Sequence, residues 1–318
     1  TRKSRWPATP QKRKLIRQMK SLLTIMRRAN RERGGLKASR FRPLYLLAKR
    51  TYHALASDWA LRVLMNGGPA LTTQTVMAAD QFCRELDAQG LTAKMKAVNI
   101  VAPGSLTAAL TPLIKTYSID PWTNYNFVSA DLTANGLISN ASNKMVNTGF
   151  VPSIAGFTTG NAGWTFYVYS DSSGLQAELG GTSAGGFWST NCIWGSSNCN
   201  GSAINDCYSS STGRMAVANS GAGYYSVNRT ATNNFKAYKA RSNLAHTQIS
   251  TLSTQSGSAP NQSMAAWGGW YMNVGFIAYP TGKRLSFVAF HDGLTSAESA
   301  AFYAAIQKMR TAMGGRFV

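Results

Sequence analysis

At 318 residues the chain has room for about two domains, or for one large β domain with extensions. Charged residues make up 14% of it, and the deficit is acidic: 33 Lys+Arg stand against 12 Asp+Glu, a formal net charge of +21. No run approaches the roughly 18–20 apolar residues of a membrane-spanning helix, and four cysteines are too few to staple a chain this long.

The charge is concentrated at one end. Residues 1–50 hold 17 Lys+Arg and one acid, Glu32, whereas the remaining chain is nearly balanced. Such a segment repels itself and needs an anionic partner, or a seat in an assembly, to hold one conformation. It carries positive charge but no continuous apolar run, so a standard secretion signal is not expected.

In chain order, Thr9-Pro10 starts a helix, with Thr as cap and Pro at the first helical position. Leu15, Ile16, Met19, Leu22, Leu23 and Met26 make its apolar stripe, and Gly34-Gly35 ends it. Arg2, Lys3, Arg5, Lys12, Arg13, Lys14, Arg17, Lys20, Arg27, Arg28, Arg31 and Arg33 lie around the stripe or on its flanks. A second helical pattern follows Pro43 through Leu55, Trp59 and Val63 to Gly67-Gly68, and a third runs from Thr73, as cap, to Ala88. Residues 91–113 read as short apolar pieces with a turn at Pro103-Gly104.

From about Tyr117 short alternating or aromatic runs are separated by Gly, Ser, Asn and Pro. Strands are expected at Tyr125–Ala130, Lys144–Asn147, Trp164–Ser170, Arg214–Ala218, Tyr224–Asn228, Asn234–Ala240, Trp270–Ala278 and Arg284–His291. Trp164, Phe166 and Val168 alternate as in a half-buried strand. Residues 195–206 and Ser209–Gly213 are polar enough to read as surface loops. Thr295 and Glu298 form a capping-box pattern ahead of a closing helix with Phe302, Ile306 and Met309 on its apolar face. The expected division is a basic helical arm at 1–68, a helical linker segment at 69–116 and a β-sandwich with closing helix at 117–318.

Four ordered pieces carry a family resemblance: residues 86–98, 140–152, 164–169, and the strand and helix from Phe287 to Met309. Together they resemble the concanavalin A-like (laminin-G-like) jelly rolls of phage and prophage structural proteins, over roughly residues 73–318. The resemblance implies a mostly β, concanavalin A-like sandwich, location in a virion assembled in the host cytoplasm, and in some members glycan binding. It implies no catalytic set, and the basic arm lies outside it.

A glycoside hydrolase on such a fold needs two facing carboxylates. Asp171, Glu178 and Asp206 are the acids that could meet, but they are scattered and no enzymatic activity is expected. There is no HExxH, CxxC or EF-hand pattern, so no metal or cofactor is expected, although a loop calcium at Asp171 or Asp206 stays open. Cys192, Cys199 and Cys207 lack zinc spacing; one disulfide or free thiols are both open. A glycan would find aromatic and polar groups at Trp188, Trp194, Asn205, Asp206 and Tyr208, set against the alternative that the two tryptophans plug the sandwich. Trp267 and Trp270 read as core.

The arm fits three partners: nucleic acid through its cations, a membrane surface through stripe and flanks, or neighbouring subunits that bury the stripe. Apolar stripe plus basic clusters favours a particle, which offers grooves and packed nucleic acid together. The expected partners are therefore other virion proteins and further copies of the chain, with nucleic acid at the arm and a host glycan at the sandwich.

Overall fold

The computed structural model describes residues 52–101, 104–170, 174–183, 190–209, 213–218, 221–241, 244–253, 257–271, 276–278 and 280–314. All of them belong to one compact unit, Tyr52–Val318. The basic arm, with its cationic and apolar positions from Arg2 to Arg33, lies outside the described residues.

Two largely antiparallel sheets face each other. Numbered in chain order, the first contains β1 (Met95–Asn99), β2 (Ile114–Lys115), β4 (Leu132–Thr133), β5 (Gly136–Ile138), β7 (Ala162–Ser170), β12 (Gly223–Ala231), β13 (Asn234–Arg241), β14 (Leu244–Leu252) and β18 (Arg284–His291). Its main path runs β14-β13-β12-β7-β18-β1-β2. The second contains β3 (Thr123–Tyr125), β6 (Met145–Asn147), β8 (Leu179–Thr182), β9 (Thr190–Cys199), β10 (Ser202–Ser209), β11 (Arg214–Val217), β15 (Ala265–Ala266), β16 (Gly269–Tyr271) and β17 (Phe276–Ala278). Its path is β11-β10-β9-β8-β15-β6-β3. The chain alternates between sheets in blocks: β7 in the first, β8 to β11 in the second, β12 to β14 back in the first. This is the mostly β sandwich of jelly-roll type expected from the sequence.

Among the described residues three helices of two turns or more join it: α1 (Ala54–Met65), α2 (Thr73–Ala88) and, beyond the short α3 (Leu106–Leu110), α4 (Ser296–Ala312). The cap of α2 is Thr72, one residue before the position expected; its hydroxyl accepts from Thr75 N at 3.1 Å. The closing helix keeps its capping box, with Thr295 N donating to Glu298 at 2.9 Å and Glu298 N donating to the Thr295 hydroxyl at 3.3 Å.

The first sheet is covered on both faces. Trp164, Phe166 and Val168 of β7, with Tyr225, Phe235 and Phe290, point into the core shared with the second sheet. Tyr167, Tyr224, Phe287 and Ala289 point the other way, into a second core with Trp59 and Val63 of α1, Phe82 and Leu86 of α2, and Phe302, Ile306 and Met309 of α4. The expected half-buried β7 is thus buried on both sides from Ala162 to Val168, because the helices cap the face that alternation assigns to solvent.

Three expectations on organisation change. Residues 95–99, assigned to the linker, form β1 and pair with β18 inside the sheet, so the sandwich begins before residue 117. Helix α1, assigned to the arm, packs into the core through Ala56, Trp59 and Val63, and Trp59 Nε1 donates to Thr111 O at 2.8 Å. Residues 195–206, read as loop, form most of the β9–β10 hairpin, which lies inside the second sheet between β8 and β11. Ser and Asn dominate that stretch because its side chains are small and close-packed, not because it is exposed: Ser196, Ser197 and Asn205 are all 0% exposed.

Candidate functional site

On the second sheet, Leu179, Ile193, Cys207, Met215, Val146 and Ala266 point inward. Their chain neighbours therefore point out. Register places Thr123 (β3), Asn147 (β6), Ala265 (β15), Gly180 (β8), Trp194 (β9), Asp206 (β10) and Arg214 (β11) side by side in one row across the outer face. The row has small residues at its centre, an indole and a carboxylate–guanidinium pair on one side, and an amide on the other. Its middle is covered: Ala265 and Asp206 are 0% exposed and Trp194 is 1%. Its ends are open, Thr123 exposed and Asn147 half-buried at one, Arg214 half-buried at the other.

Asp206 and Arg214 form a two-pronged pair, Nε donating to Oδ1 at 2.7 Å and the second guanidinium nitrogen to Oδ2 at 2.6 Å. Burial pushes the Asp206 carboxyl up, and Arg214 pulls it back only in part. The bond to Asp206 raises Arg214 in turn. A carboxylate so engaged is a fixed acceptor, not a free base.

Of the residues expected at a glycan site, the structure brings Trp194 and Asp206 together as cross-strand neighbours. Asn205 alternates to the inner face, opposite Gly195; it is 0% exposed, and neither side-chain polar atom has a hydrogen-bond partner among the described residues. Tyr208 lies in the inter-sheet core with positive φ, its hydroxyl donating to Thr158 O at 2.9 Å. Trp188 falls outside the described residues. Trp267 is core, its indole donating to Leu137 O at 2.8 Å. Arg214, Asn147 and the Gly180–Ala265 floor were not singled out in the sequence, since only strand register aligns them.

The remaining acids are engaged in the same manner. Glu178, fully buried, meets Lys283 at 2.5 Å and accepts from Ser197 N at 3.0 Å and from its hydroxyl at 2.8 Å. Lys283 also donates to Asn198 O at 3.2 Å. Asp120 pairs with Arg62, Asp131 with Lys144, Asp292 with Lys96, Glu298 with Lys94, Glu85 with Lys308 and Asp80 with Arg84. Asp58 shares Arg62, and Asp87 lies 2.8 Å from His53. Every described carboxylate therefore has a basic partner; Asp171 is outside the described residues. Among the described residues no group of three His, Cys, Asp or Glu could hold a metal.

The cysteines are free thiols. Cys192 shares the outer face with Trp194 while Cys207 points into the core, so the strand separates them. Burial pushes both thiols up to about 12, which keeps them protonated and unreactive.

No protein-family model matches the chain, and no curated protein matches it. Among solved structures, it is similar to the CBM40 domain of a Ruminococcus gnavus IT-sialidase bound to α2,3-sialyllactose. That likeness has a TM-score of 0.34 and 14% identity, over 46% of this chain and 81% of the other. The same domain without sugar gives 0.32 and 12%, over 46% and 82%. A protein of unknown function from Shewanella oneidensis MR-1 gives 0.34 and 14%, over 62% of this chain and 86% of the other. Likenesses of this size carry no argument about what the chain does.

Proposed function

We propose that the chain is a non-enzymatic structural and binding protein of a virion, seated in the particle by its basic segment, with the sandwich decorating or stabilising the surface or touching a host glycan. The observation that carries this is the division of charge. Residues 1–50 hold 17 Lys+Arg against one acid, while every described carboxylate of the body has a basic side chain beside it, a Lys or Arg in all cases but Asp87, which meets His53. A body whose described acids are paired internally offers little free negative charge, and the uncompensated cations in residues 1–50 are a means of attachment. The family resemblance in the sequence supplies the virion; the assembled particle supplies both anionic nucleic acid and subunit grooves.

Glycan contact belongs to the outer row of the second sheet. Asn147 and Arg214 offer hydrogen bonds to a sugar, while Trp194 and Asp206 are buried and offer it no surface. With the centre covered, the contacts open to a sugar are those of Asn147 and Arg214.

The test is co-sedimentation of the full chain, and of a chain lacking residues 1–51, with assembled particles. The cut is placed before α1 because α1 belongs to the core. Incorporation of the full chain alone supports the proposal; equal incorporation of both removes the arm as anchor. A second reading, nucleic-acid association through residues 1–50, is favoured by the same charge. It requires affinity for duplex DNA that falls steeply with salt and disappears with the arm.

A further inference from the structure

Each of the chain's three histidines fastens a helix. His53 caps α1 through Nδ1 and reaches Asp87 of α2 with Nε2 at 2.8 Å. The other two, His246 on β14 and His291 on β18, both hold α4.

An unbroken line of side chains joins them. His291 Nε2 is 2.9 Å from Thr165 Oγ1, which is 3.1 Å from Ser226 Oγ. Ser226 Oγ is 3.4 Å from Ser299 Oγ of α4, and Ser299 Oγ is 3.1 Å from His246 Nε2. Asn228 braces the middle, its amide donating to Ser226 at 3.0 Å while its oxygen accepts from Leu294 N at 3.0 Å. The rings themselves press on the helix. His291 meets Phe302 edge-on at 5.6 Å, and His246 is stacked between Tyr238 at 4.8 Å and Tyr303 of α4 at 5.7 Å.

We propose that this line is an acid-sensitive latch: protonation of His246 and His291 releases α4 from the first sheet.

The reason is the absence of charge compensation under the helix. Asp292, whose field favours a charged His291, is already held by Lys96 at 3.0 Å, and nearby Lys94 opposes that charge. Lys94 in turn holds Glu298 at 2.6 Å. Around His246 stand Tyr224 from β12, Tyr238 from β13, and Tyr303 and Ser299 from α4, all neutral in acid. Arg310 of α4 lies near Tyr303 and adds positive charge. An imidazolium at His291 is a fully buried cation and one at the half-buried His246 is desolvated in part; each gains hydration by displacing α4.

Burial holds His291 down at about 4 against an ordinary 6.5, and lowers His246 as well. With the docked value depressed, the released state binds more protons, so docking is complete above pH 6.5 and weakens as pH falls toward 4. His291 alone makes release about 20-fold more favourable at pH 5 than at pH 7.

The experiment is amide hydrogen exchange on the full chain at pH 7 and pH 5, corrected for the intrinsic rate. Opening of Ser296–Ala312 should rise at least about 20-fold, while β7 and β12 keep their protection. A double variant, His246→Gln with His291→Gln, should lose most of that response. Unchanged protection in α4, parallel loss in α4 and the sheet, or an undiminished response in the double variant would each overturn the latch. Should the double variant not fold, titration of both imidazoles by NMR in the native chain decides. Release of α4 with each ring titrating well below 6.5 supports the proposal; either ring titrating near 6.5 while α4 stays protected refutes it.

Discussion

Asn205 is a polar side chain in an apolar place. It points between the sheets, fully buried, without a hydrogen-bond partner among the described residues. Leaving an amide unpaired in a core costs on the order of 1–3 kcal/mol. Asn205→Leu is therefore expected to raise the thermal midpoint. A drop in midpoint on calorimetry would mean that the amide makes bonds that leucine cannot. The Glu178–Lys283 pair is the opposite case, since each partner and its hydrogen bonds are complete. Removing one charge strands the other, so Glu178→Leu alone should cost about 3–5 kcal/mol in urea unfolding, and Glu178→Leu with Lys283→Met should recover most of it. If the double variant is as unstable as the single, the pair itself is the stabilising unit. Neither environment was legible in the sequence. Asn205, Asp206 and Tyr208 read as a polar, loop-like surface, and only the register that places Asn205 opposite Gly195 shows which of them point inward.

Elements were legible where local chemistry decides them. The Thr295–Glu298 capping box is a short-range signal, and α4 starts where it says. Thr295→Ala should lower stability by about 1 kcal/mol in chemical denaturation, because Glu298 N loses its acceptor at the helix start. An unchanged midpoint would mean that docking against the sheet, not the cap, sets where the helix begins. The β9–β10 hairpin was missed for a reason that is also local. Ser and Asn disfavour strands on average, but a strand inside a sheet is held by its neighbours on both sides. Gly195 shows what small residues achieve there: a Cβ would lie 2.9 Å from the Phe166 ring and 3.2 Å from Trp164 Nε1. Gly163 does the same for the other core, where a Cβ would fall 2.4 Å from His291.

At the scale of the molecule, composition located the excess charge, and the turn-rich texture predicted a sandwich. The domain boundaries did not follow, because β1 and α1 are joined to the rest by pairing and packing at long sequence separation. Since the described residues of both cores all lie after residue 51, a chain lacking residues 1–51 should unfold cooperatively within a few degrees of the full chain in calorimetry. A collapse in midpoint would make the arm part of the fold instead of an attachment to it.

The first sheet, packed on both faces, has a consequence for how such a protein can vary over time. A strand such as β7 has one set of side chains committed to each neighbour, so almost any change there disturbs a core. The outer face of the second sheet has no such double obligation at one open end. Thr123 and Asn147 stand at the rim of that face, whereas Arg214 at the opposite end is committed to the buried Asp206. Sequence drift should therefore collect at that rim, where a lineage can exchange one surface contact for another without relearning how to fold.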